Sequence, residues 1–108
     1  MEYAVEHLHV ALLVVLGHGK CGAVKAAVDG GASPGHIQSI VEALAPAVET
    51  AKTQPGDVWD NAVRANVARA AGQVKRTEPI LNEAVSSGKL KVVGARYDLA
   101  SGRVAILP

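Results

Sequence analysis

His18 and Cys21 are the residues of this chain whose types and spacing could bind a metal ion. They lie in the segment Gly17-His18-Gly19-Lys20-Cys21-Gly22, which follows an apolar run. A turn that opens a helix can bring an imidazole and a thiolate at this spacing to one point, and zinc accepts both ligands. A catalytic zinc usually has three protein ligands, and a structural zinc has four. The segment therefore predicts a zinc site of which this pair supplies only a part.

Other interpretations of the same segment stay open. A lone cysteine is often an inert core residue, whereas the position of Cys21 beside Lys20 and near a predicted helix N-terminus also suits a reactive thiol. Gly17, Gly19 and Gly22 match neither the dinucleotide-binding pattern nor the P-loop. We expect these glycines to shape a tight turn around the site.

The elements that must position this segment predict an α/β domain. Val10–Leu16 is apolar at every position, which is typical of a strand in a parallel sheet with helices on both faces. Helices are expected over residues 1–8 and 20–28, and further helices from Ser33, Asp57 and Glu78. The last strands are expected over residues 90–97 and 104–107, joined by a turn.

The helix that begins at Ser33 carries the most specific expectations. Ser33 and Pro34 have the residue types of an N-cap and a first helical position. Pro46 is expected to break or kink the helix near Ala45, with a second segment that runs to about Ala51. The predicted apolar stripe consists of Ile37, Ile40, Val41 and Leu44.

Composition limits the class of protein. The 108 residues suit one domain, and a net charge of +1 without a basic patch argues against nucleic-acid binding. The single cysteine excludes an intrachain disulfide and suits a reducing compartment. Glu2 and Glu6 precede the apolar run, unlike the basic start of a signal peptide, and the run is too short to span a membrane. We therefore expect a cytoplasmic protein.

Motifs along the whole chain resemble the β-class carbonic anhydrases. They are Glu2-Tyr3-Ala4-Val5, Gly17-His18 with Cys21-Gly22-Ala23-Val24, Asn66-Val67, Pro79-Ile80-Leu81, Gly88-Lys89-Leu90, Val92 to Leu99, and Ser101-Gly102. The resemblance implies helices packed on a mainly parallel sheet with a C-terminal antiparallel edge strand. It also implies a zinc cofactor, with His18 and Cys21 as metal ligands and Gly22 beside the substrate. In this family, zinc lowers the pKa of bound water for the reversible hydration of CO2 to bicarbonate.

The resemblance covers only the C-terminal half of a family member. The family's remaining zinc ligand belongs to an earlier Cys-Asp-Ser-Arg sequence, which also carries an Asp–Arg pair thought to control the fourth zinc position; this chain has no such sequence. His7 and His9 lie at the far end of the first strand, and spacing gives no support to His36, Asp29 or Asp57 as a third ligand. We therefore expect a truncated single domain, residues 1–108, that is impaired or inactive alone.

The absence of the first half has a structural consequence. In the family, the missing strands lie beside the strand over residues 10–16, so that strand would form a bare apolar edge. We expect a homo-oligomer or a complex with a complementing N-terminal half. The alternative is a non-enzymatic scaffold or interaction module, with zinc absent or structural. A structural zinc would be shared across a two-fold axis by His18 and Cys21 of two chains.

Overall fold

Five helices and three strands make up the chain in a computed structural model that describes residues 1–108. The helices are α1 (Glu2–Glu6), α2 (Gly22–Asp29), α3 (Ile37–Lys52), α4 (Val58–Arg76) and α5 (Ile80–Ser86), and the strands are β1 (Leu12–His18), β2 (Lys91–Tyr97) and β3 (Val104–Ile106). The predicted strands are present, with their ends shifted by one or two residues. No helix combines the length and the apolar character that crossing a membrane requires.

The three strands form one sheet in the order β1-β2-β3. β1 and β2 are parallel, with Leu12 beside Lys91 at one end and His18 beside Tyr97 at the other. β3 is antiparallel to β2 and forms the other edge of the sheet. The chain between the parallel strands passes through α2 to α5, since parallel pairing requires a long crossover. The predicted fold class is confirmed.

Helix α4 packs across β1 and β2 at close range because two glycines face it. A methyl group on Gly17 would stand 2.4 Å from Cγ2 of Val67, and a methyl group on Gly94 would stand 2.8 Å from Cγ1 of the same side chain. On the same face of β1, Leu13 and Val15 pack against a buried cluster that includes part of α4. The glycines therefore set how closely the helix and the sheet approach.

The prediction that the first strand is covered on both faces is wrong. Leu12, Val14 and Leu16 remain 53%, 44% and 55% exposed, while the residues between them are half-buried. Successive side chains of a strand point to opposite faces, and α4, the helix that packs on β1, lies on only one of them. The other face, which we call the open face, is apolar and uncovered along β1.

The structure differs from three expectations about α3: its start at Ser33, a break at Pro46 and the position of its buried stripe. The helix begins at Ile37 rather than Ser33, whose backbone N–H donates instead to Oε1 of Gln38 at 2.9 Å. Pro46 lies inside one continuous helix, because the buried side chains on both sides of it pack against α2 and α4. Ile37 and Ile40 are 51% and 52% exposed, so the buried stripe lies further along, at Leu44, Ala47, Val48 and Ala51.

Candidate metal site

The segment with metal-ligand spacing lies at the carboxyl end of the parallel strands. His18 is the last residue of β1, Cys21 is the N-cap of α2, and Gly22 is the first residue of that helix. The structure therefore brings the three predicted residues into one turn, at the strand end where open α/β sheets bind their ligands.

The imidazole of His18 is oriented by its own turn. Its Nδ1 lies 3.0 Å from the carbonyl oxygen of Gly19. A carbonyl oxygen only accepts, so Nδ1 carries a hydrogen in this contact, and in the neutral ring Nε2 is then the nitrogen with a free lone pair. Histidines that bind metals usually donate their second ring N–H to such an acceptor. The side chain is exposed, so the donor set fits one ligand of a zinc ion.

The thiol of Cys21 is half-buried and unpaired. Its side chain makes no capping hydrogen bond to α2, although the residue holds the N-cap position. The backbone around it is fixed from α4, because the indole N–H of Trp59 donates to the Cys21 carbonyl oxygen at 3.0 Å. Asp57 in turn caps α4 by accepting from the backbone N–H groups of Trp59 and Asp60. The backbone at Cys21 is therefore held from α4, and its half-buried side chain also packs against the buried cluster that α2, α3 and α4 form.

The glycines of the segment have roles that differ from the expected tight turn. The left-handed backbone conformation of the turn belongs to Lys20, with a φ of 54°, and to none of its glycines. Gly17 is required by the approach of α4, and a methyl group on Gly19 would stand 2.8 Å from Nη2 of Arg96. Gly22 has nothing within 4 Å of the place a methyl group would take. Packing thus explains the first two glycines, and the third is sterically unconstrained.

Next to the turn, the carboxylate of Asp60 forms ion pairs with two arginines, Arg96 and Arg64. Nε of Arg96 donates to Oδ1 of Asp60 at 2.6 Å, and Nε of Arg64 donates to Oδ2 at 2.8 Å. Burial raises the pKa of Asp60, but the hydrogen bonds and charges of the two arginines outweigh it and hold this pKa below its usual value. Sequence reasoning missed this pair, because Asp60 and Arg96 are 36 residues apart and only the fold joins them.

No third side chain of metal-ligand type joins His18 and Cys21 in the structure. No group of three or more His, Cys, Asp and Glu side chains lies close enough to hold a metal ion. The two principal grooves, of about 430 and 610 Å³, are lined by other parts of the chain and include none of His18, Cys21 and Gly22. His18 and Cys21 are therefore the two side chains of metal-ligand type that the structure places in this turn.

The fold and the turn together define a crossover α/β domain with a histidine and a cysteine at the carboxyl end of its first strand. The family profile described as "Carbonic anhydrase" matches residues 1–104. Carbonic anhydrase 2 of Mycobacterium tuberculosis is 34% identical over 98% of this chain, and a carbonic anhydrase of Mycolicibacterium smegmatis is 36% identical over the same share. Each match covers 53% of the relative, so the chain spans about half the length of these proteins.

Solved structures agree with the sequence relatives and identify the class. A β-carbonic anhydrase of Coccomyxa in complex with acetazolamide has a TM-score of 0.77 and 30% identity, covering 98% of this chain and 50% of that chain. The β-carbonic anhydrase CcaA has a TM-score of 0.82 at 24% identity and shares the fold across the whole chain and 56% of its own. The chain belongs to the β-class carbonic anhydrase family.

Proposed function

We propose that this chain supplies the His18 and Cys21 part of a zinc site for the reversible hydration of CO2 to bicarbonate, a lyase reaction. The proposal rests above all on the free Nε2 of His18, beside an unpaired Cys21 in the same turn. When bound, zinc supplies the Lewis acidity that activates water at neutral pH. The remaining zinc ligand comes from outside the 108 residues, since no third ligand side chain lies near the turn.

The residues of the chain have distinct tasks in this proposal. His18 and Cys21 bind the metal, and the backbone of Gly22 lies beside the substrate. The first N–H groups of a helix have no acceptor within the helix, and the lack of steric contacts around Gly22 leaves room for a small molecule to approach it. Trp59 donates to the Cys21 carbonyl oxygen and Arg96 lies against Gly19, so these two side chains hold the turn in position.

In this proposal, the completing segment supplies a zinc ligand and also encloses the substrate. The turn lies outside the two grooves described above, and its His18, Lys20 and Gly22 are exposed, so the proposal requires a further element to enclose the substrate. A polypeptide segment with a Cys-Asp-Ser-Arg sequence, either a separate chain or a further part of the same protein, would supply the missing thiolate. Oligomerisation fits the family, because a related β-carbonic anhydrase of Sordaria macrospora is tetrameric. The unpaired thiol suits a reducing compartment, and we place the protein in the cytoplasm.

The test is zinc content and CO2 hydration, measured with and without the completing segment. The chain alone should bind far less than half a zinc per chain and leave CO2 hydration at the buffer rate. With a co-expressed segment from a relative, we expect one zinc per chain and measurable hydration. Both should be lost in Cys21→Ser and kept in Ser39→Ala, a control on the distant helix α3.

Three results would contradict the proposal. Hydration that persists in Cys21→Ser would place the activity elsewhere. Half a zinc per chain without the completing segment, lost in the same variant, would instead support a shared structural zinc. A complex that assembles but never binds zinc would favour the non-enzymatic scaffold.

A further inference from the structure

We propose that β1 is a self-pairing edge, through which the chain forms a two-fold dimer with a second copy of itself. β1 is hydrogen-bonded to a neighbouring strand on one side only, since β2 is its sole partner in the sheet. Its four side chains on the open face, Leu12, Val14, Leu16 and His18, are all exposed. The inference concerns the chain without the completing segment, and it requires no metal.

The backbone of β1 shows which groups are free. Ala11 accepts from the N–H of Lys91, and Gly19 donates to the carbonyl of Tyr97, both at 2.9 Å. Alternate residues of a strand in a parallel pair point both backbone groups to the same neighbour, so odd-numbered residues bond to β2. The N–H and C=O groups of residues 12, 14, 16 and 18 therefore face the free edge.

These free groups define one best register for a second copy. An antiparallel pairing centred on Val15 places Val14 opposite Leu16 of the other copy and Leu12 opposite His18. Each of these residues then exchanges two hydrogen bonds with its counterpart, about eight bonds in all. Opposite residues share a face, so the open faces of the two copies join and both α4 helices lie on the other side.

Charge favours the antiparallel arrangement over the parallel one. The first nineteen residues contain Glu2 and Glu6 and no lysine or arginine, whereas Lys20 follows the other end of β1. Glu6 and Lys20 are both exposed. Antiparallel pairing brings the acidic end of one copy towards the basic end of the other. A parallel pairing would oppose like charges, and β1 itself has no lysine or arginine to repel a partner.

The dimer and a shared zinc exclude each other. In the register centred on Val15, the two His18 residues are six positions apart along the strands. At about 3.4 Å per residue, their separation is roughly 20 Å. One zinc cannot bridge that distance, so each copy keeps its own part-formed site.

Light scattering on the 108-residue chain tests whether the edge of β1 forms a dimer interface. We expect a dimer at micromolar concentration, and Leu16→Lys should raise its dissociation constant at least about tenfold. The matched control is Ile106→Lys, which places the same charge on β3, at a somewhat more exposed position on the opposite edge of the sheet. That variant should dimerise like the wild type, and circular dichroism should show that both variants fold.

Cross-linking tests the register. In a Cys21→Ser background, Val14→Cys combined with Leu16→Cys should yield a disulfide-linked dimer, because residues opposite each other in a bonded pair have Cα atoms about 5.5 Å apart. Leu12→Cys combined with Val14→Cys should not, because these positions oppose residues 18 and 16.

Four outcomes would overturn the inference. A monomeric wild type would exclude self-pairing, and loss of the dimer in both lysine variants would show that the open faces pack together instead. Dissociation by Cys21→Ser alone would identify a zinc bridge. Cross-linking of the second cysteine pair would show a different register.

Discussion

The two edges of the sheet differ in how well they are protected. β1 presents four edge-facing residues, none of them a lysine, arginine or proline. β3 has only three residues, and Arg103 and Leu107 already bond to β2, so Val104 and Ile106 alone face outward. A charge precedes β3 and Pro108 follows soon after it. Short edges with charges or prolines resist pairing, whereas long apolar ones invite it.

The comparison shows that the unpaired sheet edge and the proposed zinc site both belong to β1 and the turn after it. The free edge of β1 has no neighbouring strand in this structure, and the proposed zinc site at its carboxyl end takes a further ligand from elsewhere. One added segment can therefore pair with the edge of β1 and also supply the zinc ligand, whereas the edge at β3 requires no such addition. We expect the completing segment to compete with the second copy for the same edge.

The largest expected effect is at the metal end of β1. Cys21→Ser in the completed complex should weaken cobalt or zinc binding more than about 100-fold, because loss of a direct ligand exceeds the usual cost of losing an outer partner. Cobalt absorption, which reports thiolate ligation, measures it. The control Ser101→Ala lies in the turn before β3 and should bind metal normally. Equal metal affinity in both variants would remove Cys21 from the site.

The next effect tests how β1 is held to the rest of the fold. Gly17→Ala should lower the free energy of unfolding by about 1–3 kcal/mol, because the added methyl group overlaps Val67. Chemical denaturation measures it. Val67→Ala in the same chain should recover part of the loss, and Gly22→Ala, which meets no atom within 4 Å, is the matched control. An unchanged stability in Gly17→Ala would show that α4 can shift without cost.

The protection of β3 can be removed deliberately. Arg103→Val combined with Pro108→Val should make this edge resemble β1. Both edges of the sheet could then pair with further copies, and we expect assemblies larger than a dimer. Light scattering against concentration measures their size. Adding Leu16→Lys to this double variant should return the assembly to dimers joined through β3. If the double variant with Leu16 intact stays dimeric, Arg103 and Pro108 do not protect that edge.

The smallest effect concerns the charges under the turn. The pKa of Asp60 lies below its usual value in the folded chain, so its contribution to stability is present at neutral pH. That contribution should persist down to about pH 4, the usual range of an aspartate, and be lost as pH falls through the lowered pKa. Asp60→Asn should flatten this acid limb of the unfolding free energy. Asp98 behaves in the same direction through its hydrogen bonds to Ser101, so Asp98→Asn serves for comparison.

Local patterns predicted much of the fold because they depend on neighbours in the chain. The apolar run of β1, the Asp57 cap of α4 and the turn before β3 all require only nearby residues. The prediction of a break at Pro46 failed because burial on both sides of the proline outweighed the lost backbone hydrogen bond. Coverage of β1 failed for a similar reason, since apolarity does not say which face has a partner.

The sequence by itself determined the family, the fold class and the pairing of a histidine with a cysteine in one turn, because type and spacing carry that information. Only the tertiary structure decided that Gly17 and Gly94 admit Val67, that Asp60 meets Arg96 beneath the turn, and that the open face of β1 is bare. These contacts join residues far apart in the chain. Such pairs meet only when helices and strands pack, and no local pattern records them.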